Sequence, residues 1–331
     1  MIKRFLFVLA LILVLAVPRA ESGTVKVLIL DNIFRNIPGK EDTLQVMGRM
    51  RGDLLVDGTR YRGKILVCRD NEGMYLINEV PLEEYVKNVV SAEVGPNWAF
   101  EALKAQAVIA RTYALRQKSA NSNPNYDLTS TVLDQVYRGE TKGGTNEALI
   151  SRAVEQTRGE VLTYDGKLIE AFYHSTCGGE TEDPREVFGK SYPYLKPVKS
   201  KCALSPYCVW EREIPLEEIA KALGVAGIKR ITIESHTVTG RVRALKVFHG
   251  KGVLTVKATD LRKMLGWKRL PSTKFTFTRK GHVIVFEGKG YGHGVGLCQW
   301  GALQMARQGK NYREILSFYY PGTTIQFHED N

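Results

Sequence analysis

Cysteine is scarce in this chain, with five in 331 residues at positions 68, 177, 202, 208 and 298. A chain of this length can build its core without disulfides, so a small cross-linked scaffold is not expected. The odd count leaves at least one thiol unpaired within the chain. Apolar runs long enough for a bilayer are also missing. The N-terminal run Phe5–Val17 has thirteen residues, short of the ~18 or more that a spanning helix needs. Acidic residues are outnumbered, 35 against 47 Lys and Arg, for a net charge of +12. No segment repeats, which excludes solenoids and propellers.

What is present begins with an export signal. Lys3 and Arg4 precede the apolar run, and Val17-Pro-Arg-Ala20 follows it with a small residue where a signal peptidase could cut. Residues 1–20 are therefore read as a signal peptide. Left uncleaved, the same segment would be a membrane anchor, and it is the sole membrane contact expected. No cysteine lies near the cut, which argues against a lipoprotein. An exported protein in the periplasm or cell wall meets anionic wall polymers and no nucleic acid, and the basic balance suits that partner.

Strand and helix patterns come in blocks without regular βαβ alternation, which points to an α+β fold with a substrate cleft and a smaller β-rich subdomain. Residues 21–80 read as β-rich, with runs at Thr24–Leu30, Arg60–Cys68 and Gly73–Val80. Residues 81–212 form a helical and β core, in which 180–212 reads as irregular. Residues 213–287 make the β-rich subdomain, and 288–331 return to complete the core with a glycine-rich strand and two helices.

Glu93 is the leading catalytic candidate. Leu82, Val86, Val89 and Glu93 fall three or four residues apart, on one stripe of a helix stopped by Gly95 and Pro96. Its carboxyl therefore faces the packed side, in the last turn, where the helix end disfavours negative charge. Desolvation acts in the same direction. Both raise the pKa, as a proton donor near neutral pH requires. Glu83 and Glu84 read as surface residues.

Gly288, Gly290, Gly292, Gly294 and Gly296 alternate with Lys289, Tyr291, His293 and Val295. As an extended strand, this puts bare backbone on one face and cationic, aromatic and imidazole groups on the other, a set suited to sugars. The ladder contains no G-x-G-x-x-G and no G-K-[ST], so it is not a nucleotide loop. His174, Cys177, Cys202 and Cys208 could hold a structural zinc as a tetrahedral set. A disulfide among the three cysteines is the alternative in an oxidising compartment. No cofactor is required for the chemistry. Cys298, five residues after His293, admits a Cys/His peptidase reading, and Cys68 reads as a small buried hydrophobe.

Further motifs complete the pattern: Val80-Pro-Leu-Glu-Glu-Tyr-Val86, Ala92-Glu93, Ala102-Leu-Lys-Ala-Gln-Ala107, Ala110-Arg-Thr-Tyr113, Asp134-Gln-Val-Tyr-Arg-Gly139, His174-Ser-Thr176, Gly292-His-Gly-Val-Gly296 with Gln299 and Gly301, and Tyr319-Tyr-Pro-Gly-Thr323. In this order they resemble the stage II sporulation protein D and LytB amidase-enhancer family over nearly all the chain after the signal. The resemblance implies a peptidoglycan lytic transglycosylase acting on peptide-stripped glycan strands, with Glu93 as acid/base. It also implies substrate contacts from Lys104, Gln106, Arg111, Gln135, Tyr137, His174, His293 and Gln299. The rival it leaves open is a glycan-binding enhancer of an N-acetylmuramoyl-L-alanine amidase that breaks no bond itself. Some family members hold zinc through His and Cys, and many carry serine at the Cys298 position, which argues against a nucleophilic thiol.

Overall fold

A computed structural model describes residues 23–30, 45–56, 59–69, 74–95, 97–121, 125–131, 134–139 and 146–328. The signal-like segment 1–20 lies outside them. No helix among the described residues is long and apolar enough to cross a membrane. The architecture is α+β, as the blocks of periodicity imply.

The chain opens with β1 (Thr24–Leu30), β2 (Gln45–Val56), β3 (Thr59–Arg69) and β4 (Met74–Pro81). They form a sheet ordered β2-β3-β4-β1, antiparallel throughout. A short β5 (Leu128–Thr129) adds to β1 in parallel. The sequence reading found β1, β3 and β4 to within one residue at each end, but β2 escaped it. Gly48, Arg49, Arg51, Gly52 and Asp53 break the apolar pattern that would mark a strand.

Helix α1 (Leu82–Glu93) follows β4 directly and buries Leu82, Tyr85, Val86, Val89 and Val90. Each such side chain contributes about 1.5–3 kcal/mol when fully buried. The α1 stripe packs on α2 (Phe100–Ala120), which is enclosed nearly all round. Ala102, Ala105, Ala107, Ala110 and Ala114 let neighbouring backbones approach α2 closely. Around it lie α3 (Glu147–Gln156), β6 (Glu160–Tyr164), β7 (Lys167–Leu168) and β8 (Tyr173–His174). An irregular bend over residues 169–172 separates β7 from β8.

The region expected to be irregular contains α4 (Pro184–Phe188), capped by the Asp183 carboxylate on the Arg185 N–H. A second hydrophobic core then gathers β9 (Trp210–Pro215), α5 (Leu216–Leu223), β10 (Arg230–His236), β11 (Val242–His249), β12 (Gly252–Lys257), α6 (Ala258–Leu265), β13 (Phe275–Lys280) and β14 (Val283–Gly288). These strands form two three-stranded antiparallel sheets, β10-β11-β12 and β13-β14-β9. The chain returns to the first core with β15 (Leu297–Cys298), parallel to β8, then α7 (Gln299–Arg307), α8 (Tyr312–Tyr319) and β16 (Thr324–Phe327) on β6.

The glycine ladder is not the extended strand its alternation implies. Gly290, Gly292, Gly294 and Gly296 all have positive φ, between +72° and +112°, so the backbone winds and the two-face argument fails. Close approach does hold. A Cβ at Gly296 would sit 1.9 Å from the Phe172 carbonyl oxygen, and one at Gly290 would sit 2.7 Å from that of Thr176. Glycine alone tolerates both conditions.

Candidate active site

Glu93 ends α1 half-buried, turned toward the segment that carries β15 and α7. Its Oε1 accepts the Val136 N–H at 3.0 Å and the Tyr173 hydroxyl at 3.2 Å, and its Oε2 accepts the Gln299 amide at 3.3 Å. The helix places the carboxyl, the 134–139 segment brings a backbone donor, and β8 and the start of α7 bring the other two. Burial raises the Glu93 pKa, and these three donors together with the charge of Arg138 pull it part of the way back. The Gln299 amide is also within 3.5 Å of Gln106 Oε1 on α2. Gln106 Nε2 is buried with no hydrogen-bond partner among the described residues. Trp98 and Trp300 pack edge to face beside this helix end, 5.8 Å apart.

Thus Glu93, Gln106 and Gln299 converge, as the resemblance implies. Tyr173 and the Val136 N–H are additional members that sequence reasoning missed. The side chains of His293 and His174 adjoin through rings 5.6 Å apart. His293 Nδ1 accepts the Val295 N–H at 3.0 Å, and the ring is also bonded to the Tyr173 main chain. Desolvation, with Arg262 nearby, holds the His293 pKa down to about 3, so the ring is neutral. His174 is fully enclosed, bonded through Nδ1 to the Val295 carbonyl at 3.0 Å, with Nε2 buried and without a hydrogen-bond partner among the described residues. Burial keeps it well below the usual imidazole range.

Five expected contacts sit elsewhere, each for a visible reason. Arg111 is wholly buried, gripped by Glu83 through two bonds of 2.8 and 2.6 Å and donating to the Glu160 carbonyl. Glu83, read as a surface residue, is thus a structural ion-pair partner. Gln135 accepts the Tyr85 hydroxyl at 3.1 Å inside the core. Tyr137 stacks on Tyr85 and donates to Asn78 at 2.6 Å. Lys104 pairs with Glu101 over the rings of Phe100 and Tyr312, on the side of α2 away from Gln106. Tyr291 packs against Tyr207, 4.5 Å between ring centres, and is not among the hydrogen-bond donors to Glu93 in the described residues.

A row of rings leads away from His293: Phe188 at 5.3 Å, then Phe172, Tyr192, Tyr194 and Tyr164, with neighbours 4.4–6.1 Å apart. It ends at a cavity of about 640 Å³ lined by Tyr164, Tyr192, Tyr194, Arg116, Lys167 and Glu170 among others. Glu93 does not line this cavity. Rings at such spacing offer flat apolar faces beside charged and hydroxyl groups, which fits sugars.

The residues anticipated for zinc do not assemble as a set of four. Cys177 and Cys202 approach each other to 3.6 Å between sulfurs, but the third member is Cys298, with neither His174 nor Cys208 in the group. Cys208 is half-buried and meets Cys202, with Lys289 nearby. Sequence spacing could not foresee this, because Cys298 arrives through the pairing of β15 with β8. All five cysteines are unbridged. Cys68 is buried in the first sheet, in keeping with its reading as a small hydrophobe.

The stage II sporulation protein family matches residues 70–164, the stretch that carries α1, Glu93, Gln106 and Val136, and a domain of unknown function matches residues 205–296. An uncharacterized protein of Brachyspira hyodysenteriae is 36% identical over 277 residues, covering 82% of this chain and 73% of that protein. Stage II sporulation protein D of Bacillus amyloliquefaciens is 38% identical over 264 residues, 75% of each chain. The amidase enhancer of Bacillus subtilis is 31% identical over 294 residues, 72% of this chain and 40% of that longer protein. With a carboxyl held at the end of α1 and relatives matched along most of its length, this chain belongs to the stage II sporulation protein D family.

Proposed function

We propose that this protein is an exported peptidoglycan lytic transglycosylase that cleaves peptide-stripped glycan strands between N-acetylmuramic acid and N-acetylglucosamine. The observation that carries the reading is Glu93, a half-buried carboxyl of raised pKa whose surroundings are donors: Val136 N–H, Tyr173, Gln299 and the charge of Arg138. A hydrolytic glycosidase needs a second carboxyl group for water or a covalent intermediate. Lytic cleavage does not, because the sugar supplies its own nucleophile.

Protonated Glu93 gives its proton to the bridging oxygen as the C1–O bond breaks. The C6 hydroxyl of the same muramic acid attacks C1, and the Glu93 carboxylate takes the hydroxyl proton. The product is a 1,6-anhydro-muramyl end, and Glu93 is again protonated. Tyr173 and Gln299 fix the carboxyl in one orientation while it changes charge. The tyrosine row and the basic surface give the strand somewhere to lie, and the wall polymer is the partner.

A second reading has its own support in the relative named amidase enhancer. On this view the protein binds glycan and stimulates an N-acetylmuramoyl-L-alanine amidase without cleaving anything. Incubation with peptide-stripped strands followed by mass spectrometry of the ends separates the two. The transglycosylase reading expects anhydro-muramyl ends from wild type and a loss of about 10²–10⁴-fold in Glu93→Gln, the range general acid–base catalysis supplies. If both proteins release no such ends yet both stimulate an amidase, the enhancer reading stands instead.

A further inference from the structure

We propose that a cationic rim on the second core, around Lys229, Arg230, Lys251, Arg279 and Lys280, is a glycan-docking site separate from Glu93, which grips the carboxylates borne by the muramic acids of a peptide-stripped strand. The chain's net charge of +12 is almost all in one place. Residues 205–296, the stretch that matches a domain of unknown function, hold 17 Lys and Arg against 7 Asp and Glu, a net +10, which leaves +2 for everything else. Some of these charges are used internally. Arg243, Lys246 and Arg269 pair with Glu186, Glu234 and Glu218, and Arg241 and Arg262 are buried. The five rim residues are exposed, and none of them forms an ion pair among the described residues.

Backbone bonds bring the five together. Arg230 opens β10 directly after Lys229, Lys251 sits in the tight turn from β11 to β12, and Arg279 and Lys280 end β13. The Lys229 N–H donates to the Phe248 carbonyl at 2.7 Å, and Arg279 Nη1 donates to the Lys229 carbonyl. The Gly250 N–H donates to the Ala226 carbonyl at 3.1 Å, which draws the turn onto the same end of the sheet. Arg230 lies opposite Phe248, and Phe248 opposite Val253, so the three share the sheet face turned away from the core. The Arg230 guanidinium lies 4.2 Å from the Phe248 ring centre, and Val253 is 54% exposed. An aromatic face edged by unpaired cations suits a sugar polymer that carries negative charge.

The chemistry of stripping supplies that charge. Hydrolysis of the amide between the lactyl group and the first amino acid leaves each muramic acid with a carboxylate on the strand itself. In an unstripped strand the same carbon is a neutral amide, and the charges sit out on the peptide arms. Carboxylates at a fixed repeat along a strand complement cations fixed at strand ends. The rim thus gives a physical reason for preferring stripped strands, and in this respect it rests on the reading of that glycan as the wall partner.

The rim also lies where a long polymer can use it. Lys280 pairs with Val283 at one end of β14, and Gly288 at the other end begins the glycine-rich segment that leads to His293. Six residues of strand separate the two by roughly 20 Å. A polymer held at the rim is kept at high local concentration near Glu93 without any contact to the reacting atoms.

The test measures binding by the full chain carrying Glu93→Gln, which leaves strands uncut, to immobilised peptide-stripped glycan. A second sample of the same glycan has its lactyl carboxylates converted to neutral carboxamides with carbodiimide and ammonia. The parent should bind the charged strand about tenfold more tightly than the neutral one. Adding Lys229→Gln, Arg230→Gln and Lys251→Gln together should abolish that difference, and raised salt should do the same to the parent. Equal affinity of the parent for the two strands, or undiminished preference in the triple variant, would overturn the site. Rim-dependent binding of poly(glycerol phosphate) with no effect of amidation would assign the rim to a phosphate polymer and overturn glycan as its occupant. None of these readouts needs a bond to break, so a strand gripped through its carboxylates yet never cut by wild type would count against the transglycosylase reading alone.

Discussion

Three donors hold the Glu93 carboxyl, each favouring its charged form, while burial favours the proton. Removing one donor therefore has a defined sign. Tyr173→Phe deletes the 3.2 Å bond to Oε1, so the Glu93 pKa should rise further, and the alkaline limb of the pH–rate profile should move to higher pH. The profile of kcat/KM reports this directly, and a shift to lower pH would contradict the assigned role of the hydroxyl. Stability responds at the same residue. A carboxyl whose folded pKa lies above its ordinary 4.5 stabilises the fold fully below that value. This contribution is lost as pH rises through the folded pKa. Above the folded pKa the carboxylate is a net cost, so there Glu93→Gln should be more stable than wild type by about 1 kcal/mol. That advantage should disappear below pH 4.5, which thermal melts across the range can check. The apolar stripe of α1 made this residue legible in the sequence. Tyr173 was less so, because a two-residue strand leaves no period to read, and the Val136 N–H has no side chain to announce it.

At the level of elements, the glycine-rich segment shows what a pattern can and cannot convey. Five alternating glycines signalled close backbone approach, and the contacts made by Gly290 and Gly296 bear that out. The same alternation implied an extended strand. It failed because glycine at every second position frees φ to turn positive, which a period of two cannot register. The consequence is measurable. Gly296→Ala would combine a φ of +72° with a Cβ 1.9 Å from a carbonyl oxygen, and its cost should exceed the ~1–3 kcal/mol of backbone strain alone. Denaturant midpoints would show the loss. By contrast, Gly281→Ala, with a φ of +61° but open space around its Cβ, should pay only the strain. Equal losses at the two positions would refute the close-approach argument. Arg111, Gln135 and Tyr137 carry a related lesson. They lie inside recognisable motifs, yet the fold spends them on the core, and burial is not written in a motif.

At the scale of the whole molecule, two cores share one chain and meet at a buried charge. Glu182 leaves the first region just before α4 and accepts the hydroxyls of Thr237 and Thr239, both at 2.6 Å, from the turn between β10 and β11. Arg241 on the same turn reaches back to the Cys177 carbonyl, and the Trp210 indole donates to the Gly290 carbonyl at 2.8 Å. The second core is therefore latched to the first through polar groups sealed from water, where each bond lost leaves an unsatisfied partner. Glu182→Ala would strand Arg241 and two hydroxyls at once, and breaking one side of a buried pair costs about 3–5 kcal/mol. The loss should fall unevenly. Amides of β10–β12 should exchange with deuterium faster, while those of α2, enclosed by its own neighbours, should keep their protection until global unfolding. Uniform acceleration through both cores would mean that they unfold as one unit and that the latch is only one contact among many.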